Sequence, residues 1–333
     1  MHLLTAQPGT IADGPTAVDL GQSPGDIVYL TAADSEISLL ATAQRALTES
    51  DPSPPRLRLA NLMRLGHNYS VDLYVERVVA QAKLVIVRLL GGRAYWPYGV
   101  AEVSATCRAR HIPVAFLPGD DQPDADLTGQ STLPAEAVHR LWRFQAEGGP
   151  QNAANFLRYA ASLIGRAGDW REPVPLLRAG LYWPGAAAPD LDTLRARWPD
   201  PNRPVAAILF YRALLQAGNL TSVDGLITAL DAAGLNPLPI FAASLRDATA
   251  AAMVEDWLAA CPPDVVVNGT GFSRAAPGGE NHAPPTHRDC PELQVIFAGS
   301  TEEAWRAGTR GLSPQDIAMN VALPEVDGRI ITR

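Results

Sequence analysis

From His2 to Leu117 the chain alternates short, continuous apolar runs with segments whose apolar residues recur at helical spacing. The runs His2–Ala6, Asp26–Leu30, Arg56–Ala60, Leu84–Leu89 and Ile112–Leu117 predict strands, and Ser35–Leu47, Ser70–Gln81 and Val100–Arg110 predict helices. Strands that read as unbroken Val, Ile and Leu, separated by helices, belong to a parallel sheet covered on both faces. Ser35 and Ser70 are the expected N-caps, and Pro52-Ser-Pro-Pro55 forces a loop.

Residues 130–166 predict helix, with Trp142, Phe144, Phe156, Leu157 and Leu163 as its apolar stripe. Residues 165–203 are rich in Pro, Gly and Ala and read as a linker or an extended covering segment. A second alternating unit follows, with strands at Val205–Phe210, Pro237–Ala242, Val265–Asn268 and Leu293–Phe297. Its helices are Ser222–Ala233, Ala248–Ala259 and Thr301–Thr309. The expected fold is α/β: two Rossmann-like parallel-sheet domains, residues 1–125 and 204–310, with a helical segment and linker over 126–203. Residues 311–333 hold Asn320, Glu325, Asp327 and Arg329 between two apolar, strand-like runs. Arg329–Arg333 reads as the opening of a new strand, so the expectation is the start of a further segment in an N-terminal piece of a longer protein.

Composition narrows the partners. The 333 residues are 47% apolar, ample for buried cores, and the net charge of −8 with a pI near 5.3 does not invite nucleic acid or an anionic membrane. Cys107, Cys261 and Cys290 are odd in number and form no C-x-x-C, which fits a reducing compartment. The N-terminus has no basic segment before a long apolar one, and the longest apolar runs are of strand length, so a cytoplasmic protein is expected.

In parallel α/β sheets ligands bind beyond the carboxyl ends of the strands. Four loops qualify. Leu90–Gly99 offers Gly91 and Gly92 for close backbone approach, and Tyr95 and Trp96 as a flat wall. Gly66–Tyr69 offers His67, Tyr211-Arg212 offers a guanidinium, and Asn268–Ser273 offers Asn268 and Phe272. Ordinary turn chemistry explains each of them equally well. Asn268-Gly-Thr-Gly lacks the third glycine of a dinucleotide fingerprint. The single lysine, Lys83, stands in no Gly-Lys-Ser/Thr loop, so any ATP consumed would be bound by another subunit. His282, His287 and Cys290 have a spacing that would suit zinc or cobalt, although a loose Pro/Gly loop is the simpler reading.

Eight short motifs, in order, carry a resemblance. They are Met1–Thr10, Ala17–Asp26, Leu30–Glu36, Ser70–Tyr74, Leu90–Gly99, Phe210–Arg212, Gln216–Asn219 and the segment Gly311–Arg333. Together they resemble the large, CobN-type subunit of aerobic cobaltochelatase, a relative of the magnesium chelatase large subunit. The resemblance implies ATP-dependent insertion of Co2+ into hydrogenobyrinic acid a,c-diamide during aerobic cobalamin synthesis. In that family the large subunit binds the tetrapyrrole and cobalt, and two partner subunits, an AAA+ ATPase among them, use ATP and Mg2+. Inserting a metal requires stripping its water and removing two pyrrole protons. Glu325 and Asp327 would hold a cation and accept protons. Arg212 and Arg329 would pair with peripheral carboxylates, with Asn320 beside them, while Tyr95, Trp96 and Phe272 would pack on the ring. Pro324–Gly328 is equally good β-turn chemistry. The alternatives are a magnesium chelatase subunit and a two-domain small-molecule or nucleotide-sugar binding protein.

Overall fold

The computed structural model describes residues 16–51, 53–186, 188–271, 290–309 and 311–326, with nothing stated of the Ser50 and Gln315 side chains. The chain divides into two compact units. The first holds residues up to Leu176 and Gln216–Gly218; the second holds Leu177–Leu215 and the residues from Asn219 onward.

In the first unit β1 (Ile27–Thr31), α1 (Asp34–Ser50), β2 (Leu57–Asn61), α2 (Asn68–Arg77), β3 (Leu84–Leu89), α3 (Pro97–Ala109) and β4 (Val114–Pro118) alternate as the periodicity predicts. The described strands pair in parallel in the order β2-β1-β3-β4, so the chain reverses direction across the sheet between β1 and β3. Successive side chains go to opposite faces. Val28, Leu30, Val85 and Val87 pack under α2 and α3, whereas Ile27, Tyr29, Leu84 and Ile86 face α1. The helices α4 (Ala125–Gln130), α5 (Ala135–Glu147) and α6 (Pro150–Leu163) follow, and Leu141, Phe144 and Phe156 close the α1 face. The helical segment set apart in the sequence reading therefore packs with the first sheet, and the division falls at Leu176/Leu177 instead of at 125 and 203.

The second unit contains β5 (Ala179–Leu181), α7 (Leu191–Arg195), β6 (Val205–Tyr211), α8 (Arg212–Gln216, whose last residue groups with the first unit), α9 (Thr221–Ala232) and β7 (Asn236–Ala242). Then come α10 (Ala248–Ala260), β8 (Val265–Asn268), β9 (Glu292–Gln294) and α11 (Glu302–Ala307). Its strand order is β5-β7-β6-β8-β9. The parallel strands β7-β6-β8-β9 repeat the order of the first sheet. The expectation of an all-parallel sheet is corrected at one edge, where β5, from the presumed linker, runs antiparallel to β7. Ala207, Leu209, Leu238, Ile240 and Val266 pack against Ala250, Val254 and Leu258 of α10.

Three local expectations change. Neither serine caps a helix: α1 starts after Ala33 without a side-chain cap, and His67 Nδ1 caps α2 by accepting from the Tyr69 N–H. Ser70 Oγ instead accepts from the Val18 N–H. Residues 314–326 are helical as α12 (Pro314–Ile317), a π-turn (Ala318–Ala322) and α13 (Leu323–Val326), so the apolar run there is neither a strand nor the start of a β-turn. The strand expected at His2–Ala6 lies outside the described residues.

A buried ion pair joins the first unit's elements at the carboxyl edge. Arg88 on β3 pairs with Glu36 on α1, which also accepts from Tyr29 Oη and Thr31 Oγ1, both at 2.8 Å. The same guanidinium donates to the Pro118 and Gly119 carbonyls. At the opposite edge Asp26 accepts from the Arg56 N–H at 2.9 Å and pairs with Lys83 at 3.1 Å. The Arg56 amide, more than any other contact, holds its carboxyl below the usual value, against the opposing effect of burial. Removing one partner of a buried pair strands the other, so Arg88→Met should lower the urea-unfolding free energy by about 3–5 kcal/mol. The double variant Glu36→Leu/Arg88→Met should lose less than the two single changes summed. Because the folded Asp26 carboxyl lies below its unfolded value of about 3.9, its stabilisation is whole above that pH and drains as pH falls towards the folded value. Urea midpoints measured from pH 6 to 2.5 should therefore fall less steeply for Asp26→Asn than for the parent chain.

Candidate functional site

Two of the loops singled out in the sequence meet in the first unit. A cavity of about 510 Å³ lies beyond β2 and β3, lined by Leu62, Met63, Leu65, Gly66, Asn68, Val71, Tyr95, Trp96, Pro97 and Tyr98. Short 3-10 turns, Leu62–Leu65 after β2 and Arg93–Tyr95 after β3, carry its walls. Asn61 starts the first turn by accepting from the Met63 N–H. Gly91 and Gly92 reverse the chain before the second, at φ of +83° and +73°, conformations that only glycine adopts without strain. Tyr95 Oη reaches Met63 Sδ at 3.3 Å and so links the turns.

The aromatic wall divides in two. Tyr95 is 36% exposed, but Trp96 is 7% exposed and donates its indole N–H to the Leu65 carbonyl. Trp96 is thus a packed floor and not a free stacking face, which corrects the expectation for it. A Cβ at Gly99 would stand 2.0 Å from the indole, so the glycine is what lets α3 lie on the ring. Tyr98 Oη donates to Asp72 Oδ1 at 2.7 Å, and that bond pushes the phenol up to about 12. His67 stands between the lining residues Gly66 and Asn68 and acts as the cap described above. Met63 was missed in the sequence, where the only available signal was its place just after β2; Tyr98 stood within the chosen Leu90–Gly99 loop but was not named as a site residue.

In the second unit Tyr211 ends β6, Arg212 follows it and Asn268 ends β8, on either side of the chain reversal in that sheet. Arg212 Nε donates to the Leu177 carbonyl at 2.9 Å. The Asn268 side chain is buried, donating to Glu292 at 2.6 Å and accepting from the Thr270 N–H and hydroxyl. It shapes the loop instead of presenting an amide to a ligand, a second correction. The helical run 314–326 lies on that loop: a Cβ at Gly271 would stand 3.3 Å from Pro324 Cγ. Asn320 bonds back to the Asp316 carbonyl, and Glu325 is exposed on α13. Asp316 was missed. It is buried and accepts from the Gly299 N–H at 2.8 Å and the Ser313 hydroxyl at 2.7 Å, anchoring the run. Phe272, Asp327, Arg329, His282 and His287 lie outside the described residues. Cys290 is half-buried, and burial, reinforced by Asp264, raises its thiol. Among the described residues no three His, Cys, Asp or Glu side chains gather as a metal cluster, and no helix is long and apolar enough to cross a membrane.

Fold and loops define an α/β protein of two units with the same parallel-strand order, its polar and aromatic loops collected at the carboxyl ends of the strands. Residues 142–333 match the family described as CobN/Magnesium Chelatase. The aerobic cobaltochelatase subunit CobN of Sinorhizobium sp is 44% identical over all of this chain, which spans 26% of that protein. The protein of the same name from Pseudomonas aeruginosa is also 44% identical, again over the whole chain and 26% of its own length. Among solved structures, the catalytic subunit of cobaltochelatase from Mycobacterium tuberculosis superposes with a TM-score of 0.62 at 28% identity, over 92% of this chain and 24% of that one. The chain belongs to the CobN/magnesium chelatase family, and it spans about a quarter of the length of the curated relatives it matches.

The contact between Gly99 and Trp96 makes a direct prediction. Gly99→Ala should displace the indole and destabilise the chain by about 1–3 kcal/mol, the usual cost of overpacking. The checks are a lower thermal midpoint and a red-shifted tryptophan emission, as the Trp96 ring gains water.

Proposed function

We propose that this chain is part of the large subunit of a cobalt chelatase, which inserts Co2+ as substrate into hydrogenobyrinic acid a,c-diamide in cobalamin synthesis in the cytoplasm. The carrying observation is the 44% identity, over every part of the chain, to proteins named as aerobic cobaltochelatase subunits. ATP and Mg2+ belong on this reading to a partner AAA+ ATPase and its companion subunit. The sequence itself offers no Gly-Lys-Ser/Thr loop for a triphosphate. The chain's contribution is to hold the macrocycle. Loops at the carboxyl ends of the first unit's strands carry aromatic, thioether and guanidinium groups, which suit a ring system edged by carboxylates. In this reading Arg212 and Arg329 take carboxylates and Phe272 packs on the ring. Glu325 and Asp327 accept protons or hold the incoming cation, with Asn320 beside them.

The test is a titration of the purified chain with hydrogenobyrinic acid a,c-diamide, followed by macrocycle absorbance and tryptophan quenching. Saturable binding, with no binding of ATP, is the expected result. Preference for protoporphyrin IX would move the reading to the magnesium branch. Tight binding of a UDP-sugar in place of either tetrapyrrole would overturn it.

A further inference from the structure

The cavity of the first unit combines two features that call for one kind of occupant. Its lining is apolar and aromatic, yet three large apolar side chains at or beside its mouth stay in solvent: Met63 is 44%, Tyr69 56% and Tyr95 36% exposed. Clustered exposure of this sort marks a binding surface more often than chance. Its volume, about 510 Å³, lies inside the range of small-molecule sites.

The second feature is charge. Arg64 sits between Met63 and Leu65 on the first 3-10 turn, and Arg93 opens the second. Both are exposed, and neither makes an ion pair or side-chain hydrogen bond among the described residues. Arg56 and Arg77 are engaged by aspartates, Arg58 by carbonyls and Arg88 by Glu36; Arg64 and Arg93 share their freedom with Arg110, Arg158, Arg166 and Arg171 and differ from these in standing on the two turns that wall the cavity. No acidic residue lines the cavity, and Asp72, next to the lining residue Val71, already accepts from Tyr98. The two turns that wall the apolar cleft thus each carry an exposed arginine, and a guanidinium fork pairs with carboxylate oxygens.

We infer that this cavity is a subsite for the edge of a planar, carboxylate-bearing ring, with Tyr95 and Met63 against the ring and Arg64 and Arg93 on its carboxylates. The inference rests on the tetrapyrrole reading above and adds to it a place and two residues. Asn68 and Gly66 also line the cavity, and Trp96, held by the Leu65 carbonyl, forms its floor. The subsite takes one edge of the macrocycle and leaves the central nitrogens outside it, open to a metal delivered from elsewhere.

The test compares the chain with Arg64→Gln/Arg93→Gln, Tyr95→Leu and, as a control in the second unit, Arg306→Gln, in titrations with hydrogenobyrinic acid a,c-diamide at two salt concentrations. All of these side chains are surface groups, and circular dichroism verifies that each variant folds. The double variant should bind about tenfold or more weakly and lose most of the salt dependence, the equivalent of one or two charged hydrogen bonds. Tyr95→Leu should weaken binding with the salt dependence kept, and Arg306→Gln should match the parent. Parent-like binding by the double variant overturns this subsite while leaving the chelatase reading intact. No binding by the parent chain overturns this subsite and places the macrocycle's pocket in another part of the subunit, with the family membership untouched. ATP binding that disappears in the double variant overturns the carboxylate assignment.

Discussion

Glu36 lies in the first turn of α1, where two hydroxyls and a guanidinium converge on its carboxylate. The cluster is largely shielded from water, so its contacts replace hydration that folding removed, and deleting one strands the others. Through Arg88 the carboxylate also fixes the carbonyls of Pro118 and Gly119, beyond the end of β4. One polar cluster thus sets the relative positions of β1, β3, β4 and α1 at the edge of the sheet where loops carry chemistry. Burial together with the neighbouring Glu36 keeps the Tyr29 phenol protonated and donating.

The second unit uses the same parallel-strand order and a different lock. Asn268, fully buried at the end of β8, ties Glu292 of β9 to the Thr270 loop, and Asp316 then holds the helical run that packs on Gly271. Neutral amide and single carboxylate do there what the ion pair does in the first unit. In both units a polar side chain at a strand's carboxyl end organises the backbone, and the groups left for a ligand lie one loop farther out. That separation explains why residues chosen for their position at strand ends, Asn268 and Trp96 among them, are structural.

The family match begins inside α5 and runs through the second unit, whereas the curated relatives align along the whole chain. The first unit, with the cavity rimmed by Met63 and Tyr95, is therefore shared with proteins named as cobaltochelatase subunits at 44% identity. A planar acidic ring and a divalent cation make opposite demands: apolar faces and guanidiniums for one, carboxylates for the other. On the reading proposed above, the aromatic cleft of the first unit would meet the first demand and the exposed Glu325 of the second unit the other.

Most strands and helices were legible because buried parallel strands and amphipathic helices carry their periods in the residues themselves: Leu84–Leu89 could be little else. The loops at Gly66–Tyr69 and Leu90–Gly99 were found from their place after β2 and β3, a consequence of topology that the alternation already implies. The antiparallel edge strand Ala179–Leu181 was not legible, since three residues in a Pro/Gly-rich stretch have no period to read. The helical state of 314–326 was missed because short apolar runs fit strand and helix alike, and only packing on Gly271 and the Asp316 anchor decides between them. The sequence alone determined the α/β layering and the loops that face ligand. Tertiary structure decided which side chains in those loops are spent on the fold, Trp96, His67 and Asn268, and which, Tyr95, Arg64 and Arg93, remain exposed. That choice depends on contacts between residues tens of positions apart, which no local pattern records.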